Sequence, residues 1–185
     1  MRGASDNTGM ARQPGQQQEA EPEAEPWLRG THTEQSSLLR AVIHALELAR
    51  EDVEAACAPL SDEAFFARPA QVAPLAFHLR HIVRSLDRLL TYAAGEPLRP
   101  AQMEALRTEL DGGATKSELL AEFRSGMDEA MRRIRSFAGA DPEQPRGVGR
   151  KALPTTVGGL LVHCADHTQR HAGQAVTTAQ IVRQL

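Results

Sequence analysis

The chain has 185 residues, of which 41% are hydrophobic but only 4% aromatic, and this composition predicts one domain with an aliphatic, mainly helical core. A formal net charge of −3 without a dense cluster of Lys and Arg argues against nucleic-acid binding. Since no apolar run is long enough to cross a bilayer, we also expect no membrane association.

Residues 1–26 are predicted to be a disordered or loosely attached tail, and residues 27–185 the folded domain. The stretch QPGQQQEAEPEAEP has no apolar periodicity and cannot bury enough surface to offset the entropy lost on ordering. The tail has no apolar segment of signal-peptide type, and Cys57 and Cys164 do not form a CxxC pair. We therefore expect a cytoplasmic protein whose two cysteines are reduced core residues.

Apolar residues at helical spacing predict four long amphipathic helices, at about residues 31–58, 74–94, 115–139 and 155–185. Thr31 with Glu34, and Thr115 with Glu118, predict capping boxes at the first and third of these helices. A short helix is expected from Pro100. No alternation of apolar and polar residues is long enough to predict a strand, so the predicted fold is an all-α four-helix bundle.

The fourth helix carries three histidines at intervals of four, His163, His167 and His171, in the stretch HCADHTQRHAGQ. Side chains at i and i+4 lie on one helix face with Cβ atoms about 5–6 Å apart, so two imidazoles at this spacing can share a metal ion. Projected at about 100° per residue, His167 and His171 lie nearer the apolar stripe than His163. We expect His163 on the surface, in an outer shell or at a subunit contact.

A further ligand could come from the second helix, where the stretch FHLRHI contains His78 and His81. The projection slightly favours burial of His78 but does not decide which of the two would bind a metal. A histidine stripe is also compatible with a solvated helix face. Because no Glu follows the first His of the HxxxH pattern, the general base of zinc proteases is missing. His32 and His44 are expected to be structural or exposed.

The segments PLAFHLRHIVRSLDRLLTYAAGE and TVGGLLVHCADHTQRHAGQA resemble the two signature segments of the DinB/YfiT-like superfamily, which are metal-binding four-helix bundles. The resemblance covers about residues 30–185 and implies the metal ligands His81, His167 and His171, with Gln174 near the site. It also implies a homodimer. Three imidazoles leave an open position, as in catalytic zinc sites. Zinc or nickel is expected as the divalent ion, although imidazoles also suit iron and copper.

Characterised members of this superfamily include bacillithiol S-transferases and a mycothiol-dependent maleylpyruvate isomerase. The resemblance therefore implies a metal-dependent enzyme of the thiol S-transferase type, or a related hydrolase or isomerase. Its metal would bind a low-molecular-weight thiol and lower the pKa of that thiol. No residue is assigned as a general base. The alternatives are a non-catalytic metal-binding stress-response protein and a structural bundle whose histidines bind nickel only during purification.

Overall fold

The computed structural model describes residues 23–110 and 113–185, and within these ranges the chain is mainly helical. The helices are α1 (Ser37–Cys57), α2 (Asp62–Phe66), α3 (Leu75–Ala93), α4 (Pro100–Arg107), α5 (Lys116–Arg135) and α6 (Val157–Val182). Two strands, β1 (Pro145–Val148) and β2 (Leu153–Thr156), separate α5 from α6. Most of the predicted tail, residues 1–22, lies outside the described residues. None of the helices in the described ranges has both the length and the apolar character to cross a membrane.

The four long helices, α1, α3, α5 and α6, share one hydrophobic core. Helix α6 packs against α1 and α3, and α5 packs against the same two helices. Most of the fully buried side chains are aliphatic, as the composition predicts; the largest include Ile43, Leu46, Leu79, Leu86, Leu119 and Ile134. This packing places residues of α3 and α6 from distant parts of the sequence next to each other.

The structure confirms the long helices predicted at about residues 74–94, 115–139 and 155–185, which are α3, α5 and α6. It also confirms the short helix predicted from Pro100, which is α4. The capping box of α5 is also present: the Thr115 hydroxyl accepts from the Glu118 N–H at 3.2 Å, and the Glu118 carboxylate accepts from the Thr115 N–H at 2.8 Å. These contacts depend only on neighbouring residues, so the sequence pattern was sufficient to predict them.

The predicted start of the first helix at Thr31 is wrong. Helix α1 begins at Ser37, and Ser36 caps it by accepting a hydrogen bond from the Leu39 N–H. Thr31 instead forms a hydrogen bond with His44. The next residue, His32, has a φ of 56°, in the left-handed region. A right-handed helix cannot pass through a residue in that conformation, so the segment before Ser36 is a turn.

The connection between α5 and α6 also differs from the prediction, because it contains a β-hairpin. Strands β1 and β2 are antiparallel, with pairs running from Pro145↔Thr156 to Val148↔Leu153. The prediction of a purely α-helical domain was therefore wrong here. Four-residue strands containing Pro and Gly show too little alternation to be recognised. The hairpin is also held by a distant contact: Nε of Arg146 donates to the Ala93 carbonyl of α3 at 2.7 Å.

Gly126 allows α5 to approach α3 closely, since a Cβ built on Gly126 would lie 2.5 Å from Cβ of Val83. We expect Gly126→Ala to lower the free energy of unfolding by about 1–3 kcal/mol through overpacking. This loss should exceed the gain in helix propensity of up to about 1 kcal/mol. Urea unfolding measures the change in the free energy of unfolding.

The matched control is Gly173→Ala, because Gly173 lies on α6 and a Cβ there would meet no atom within 4 Å. That variant should be neutral or slightly stabilised by the better helix propensity of Ala. Adding Val83→Ala to Gly126→Ala should restore part of the loss. Equal stability changes at Gly126 and Gly173 would contradict the steric explanation.

Candidate metal centre

The contact between α3 and α6 brings together three histidines from two helices. His81 of α3 and His167 and His171 of α6 each offer one ligand atom, and these atoms lie within 4.8 Å of one another. All three residues are partly exposed. The two histidines of α6 share a face because they are four residues apart, and α3 supplies the third from the facing side. The structure thus brings together the three residues that the resemblance selects.

The spacing and tautomer of His81 are compatible with a shared ion. Its Nδ1 lies 2.7 Å from Oε2 of Glu109, which as a carboxylate can only accept, so Nδ1 carries the proton. In the neutral ring Nε2 then presents a lone pair, and it lies 3.3 Å from Nε2 of His167. Two nitrogens bound to one tetrahedral zinc ion at about 2.0–2.1 Å are themselves about 3.3 Å apart. The donor set therefore fits a divalent ion of this kind.

The other ring nitrogen of His167 would not be satisfied by an ion bound at Nε2. His167 Nδ1 is buried and has no hydrogen-bond partner in the part of the chain that the structure describes. A buried polar atom without a partner is costly and calls for an explanation such as a bound water or ion. The cluster as described therefore leaves His167 incompletely satisfied.

His78 is adjacent to the cluster. It is 5% exposed, as the helical projection favoured, and its Nδ1 lies 3.2 Å from Nδ1 of His171. One of these nitrogens must donate and the other accept. If His171 donates, its Nε2 is free to bind a metal, and His78 then orients the ring of His171. The hydrogen bond thus gives His78 a supporting position beside the three histidines.

The surroundings of His78, His167 and His171 favour the uncharged imidazole near neutral pH. Burial, assisted by the neighbouring histidines, lowers the pKa of His78 to about 4 and that of His167 to about 4. Burial and His81 also lower the pKa of His171, against a hydrogen bond to Gln174 that raises it. Neutral imidazole is the form that binds metals, so His167 and His171 need release no proton to do so at pH 7.

The other candidates from the sequence lie outside the cluster. The side chain of His163 is 46% exposed and 3.5 Å from Asp166, on the surface as expected. Cys57 and Cys164 are both fully buried, which confirms their assignment to the core. Burial raises the pKa of Cys57 to about 11 and that of Cys164 to about 12. Neither thiol is a reactive thiolate near neutral pH.

Glu109 is the residue near the site that sequence reasoning missed. It follows α4 and is only 6% exposed. Burial acts to raise the pKa of Glu109, but the hydrogen bonds from His81 and Arg88 outweigh it, and the pKa is lowered overall. The carboxylate accepts from Arg88 at 2.9 Å. No local pattern marks this Glu, because its partners on α3, His81 and Arg88, are 28 and 21 residues away in sequence.

A depression of about 660 Å³ opens beside the cluster and includes His78 and His171 in its wall. The rest of its wall is mainly apolar, with one guanidinium; it includes Val72, Phe77, Arg170, Thr177 and Ile181. Arg170 forms an ion pair with Asp166 at 2.9 Å. The depression is large enough for a small molecule to lie next to the histidines.

The metal-free protein should lose stability as the pH falls from about 6.5 to about 4. His78 and His167 have pKa values of about 4 in the folded chain, against 6.5 without the fold. The unfolded chain therefore binds more protons in this window, so the free energy of unfolding rises with pH and levels off above about 6.5. We expect an effect on the order of 1 kcal/mol per histidine.

Urea unfolding in the presence of a chelator, at several pH values, measures this dependence. His78→Leu should flatten the profile because it removes one of the three histidines whose pKa is lowered. His163→Ala on the exposed surface should change the profile much less, because His163 is only a minor cause of the lowered pKa of His167. A His78→Leu profile as steep as that of the unaltered chain would contradict the assignment of this pH dependence to the buried histidine.

Comparison with known protein families gives a match over most of the chain. A family model described as the DinB superfamily matches residues 45–175, which is more than half of the chain. The matched range includes His81, His167 and His171 as well as Glu109. A search of curated proteins finds no match to the chain.

Proposed function

The chain belongs to the DinB superfamily, and from this premise we propose that it is a metal-dependent enzyme of the thiol S-transferase type. Its metal ligands are His81, His167 and His171. The observation that carries the proposal is the grouping of one ligand atom from each of them within 4.8 Å. Helices α1, α3, α5 and α6 each pack against two of the others in a closed ring, and we propose that they form a four-helix bundle.

The resident ion is zinc or nickel. Three imidazole ligands suit both ions, and a set of only three protein ligands leaves a coordination position open for a substrate. When bound there, the ion supplies a Lewis acid that lowers the pKa of a thiol and favours the thiolate.

The reacting thiol comes from outside the chain. Cys57 and Cys164 are both 0% exposed, and their raised pKa values keep them protonated. A nucleophilic sulfur must therefore belong to a small molecule that can enter the site. The depression beside His171 provides room for it and for an electrophile.

The protein's own residues hold the ligands in place and shield them. Glu109 accepts a hydrogen bond from the Nδ1–H of His81 and so fixes the tautomer of that ring. His78 is hydrogen-bonded to His171. The ring of Phe77 stacks on His81, with centroids 5.1 Å apart and an interplanar angle of 19°. These contacts orient two of the three imidazoles before any ion binds, which reduces the ordering that binding requires.

The test uses untagged protein. Metal content is measured first, and zinc- or nickel-loaded protein is then incubated with glutathione or other low-molecular-weight thiols and the electrophile 1-chloro-2,4-dinitrobenzene. We expect bound metal and metal-dependent formation of the thioether. His171→Ala should abolish this activity, and His163→Ala should retain it.

The outcomes separate the candidate functions. Bound metal without thioether formation would favour the non-catalytic metal-binding stress-response protein. Untagged protein that neither contains nor binds metal would contradict both. A homodimer is also part of the proposal, on the basis of the family resemblance, and a monomeric mass in solution would contradict it.

A further inference from the structure

A second group of metal-binding side chains lies where the segment before α1 folds back onto α1. His32 Nε2 is 2.8 Å from Oε1 of Glu47, and the rings of His32 and His44 have centroids 5.5 Å apart. One ligand atom of each of His32, His44 and Glu47 lies within 4.8 Å of the other two. None of these residues takes part in the group formed by His81, His167 and His171.

Two segments of the chain supply the three side chains, so that they can surround an ion from two sides. His44 and Glu47 are three residues apart on α1 and therefore share a face of the helix. His32 precedes the helix, and its left-handed backbone, with a φ of 56°, belongs to the turn that carries it back toward α1. The Thr31 hydroxyl lies 3.0 Å from Nε2 of His44 and orients that ring from outside the group.

The group is shielded from solvent. His44 is 7% exposed, and the side chains of His32 and Glu47 are 18% and 17% exposed. The nearby Arg29 is already engaged, because its guanidinium donates to both carboxylate oxygens of Glu51, one turn along α1. Glu47 therefore faces the two imidazoles, and a cation placed among them would be bound by one negative and two neutral ligands.

A depression next to the group includes His44 in its wall. Thr31 and Arg40 also lie in its wall. The positive charge of Arg40 disfavours a bare dication nearby and favours an ion whose fourth ligand is an anion such as chloride or hydroxide.

We propose that His32, His44 and Glu47 form a second divalent-metal site, suited to Zn²⁺, that fastens the segment before α1 to that helix. Two imidazoles and one carboxylate are a recognised ligand set for zinc. The ion crosslinks His32 to residues twelve and fifteen positions further along the chain, so its main effect is to hold residues 26–36 in place. The family match begins at residue 45 and so does not include His32 or His44.

Zinc titration of untagged, metal-free protein tests the stoichiometry. We expect two equivalents to bind to the unaltered chain. His167→Ala combined with His171→Ala should leave one equivalent, and Glu47→Gln should also leave one. Adding Glu47→Gln to that double variant should weaken the remaining equivalent at least about 100-fold. Glu47→Gln preserves the size of the side chain, and unfolding of the metal-free variants shows whether they remain folded.

Hydrogen exchange locates the second ion. In the variant with His167→Ala and His171→Ala, zinc should slow exchange in residues 26–36 by at least about tenfold, and Glu47→Gln should remove this protection. Glu54→Gln is the matched control, because Glu54 also lies on α1 but pairs with Arg124, outside residues 26–36. The proposal is overturned if the double variant binds no zinc, or if zinc leaves exchange in residues 26–36 unchanged. Failure of the first site alone would not affect these readouts.

Discussion

Replacing His167 or His171 by Ala should weaken zinc binding at the proposed main site at least about 100-fold, beyond the roughly 10–100-fold lost when only an outer partner of a ligand is removed. Each change leaves two of the three imidazoles whose ligand atoms lie within 4.8 Å of one another. Two protein ligands are too few to hold a tetrahedral ion tightly. Competition with a chelator of known affinity, in a Glu47→Gln background, measures the loss at this site alone.

His163→Ala provides the control for these replacements. His163 is on the same helix and four residues from His167, but its side chain is 46% exposed and faces Asp166. Its loss should change zinc affinity less than about threefold, which corresponds to less than about 0.7 kcal/mol. If all three variants bound zinc as the unaltered chain does, the histidines of α6 would be no more than a solvated helix face.

Glu109→Gln should weaken zinc binding about 10–100-fold, because Glu109 fixes the ring of the proposed ligand His81. The neutral amide has nearly the same shape, but it loses the charge that strengthens the hydrogen bond from Nδ1. It also leaves Arg88, which donates to the same carboxylate, with a weaker partner. Chelator competition gives the affinity, and urea unfolding of the metal-free variant shows any separate effect on stability.

Glu104→Gln is the matched control for Glu109→Gln. Glu104 is five residues earlier, on α4, and its side chain is 64% exposed and paired with Arg107. Removing an exposed carboxylate of this kind should leave zinc affinity unchanged, since such ion pairs contribute little. Equal effects of the two variants would show that the loss at Glu109 is a general effect of charge and not the loss of the contact with His81.

The parts of the fold that depend on local interactions could be predicted from the sequence. Periodicity located α3, α5 and α6, and the capping box at Thr115 is confirmed because its hydrogen bonds join residues three positions apart. A similar pattern at Thr31 and Glu34 failed. There the Thr31 side chain binds His44, and the chain turns at His32. A capping pattern therefore predicts a helix start only where no contact from a more distant residue competes for the same side chain.

The sequence likewise predicted some features of the candidate site and left others open. The spacing of His167 and His171 already placed both on one face of α6, and the projection correctly favoured burial of His78. Periodicity could not choose between His78 and His81, because the choice depends on how α3 is rotated against α6. The structure places both beside the pair, His81 with a ligand atom in the group and His78 hydrogen-bonded to His171.

The sequence by itself determined the long helices after α1, their apolar faces and the i,i+4 pair on α6, because these follow from interactions within a few turns of one helix. Only the tertiary structure decided that Glu109 reaches His81, that Arg146 anchors the hairpin on α3, and that His32 returns to Glu47. Each of these contacts joins different segments. These contacts form only when the whole core packs, so the spacing of residues in the sequence does not predict them.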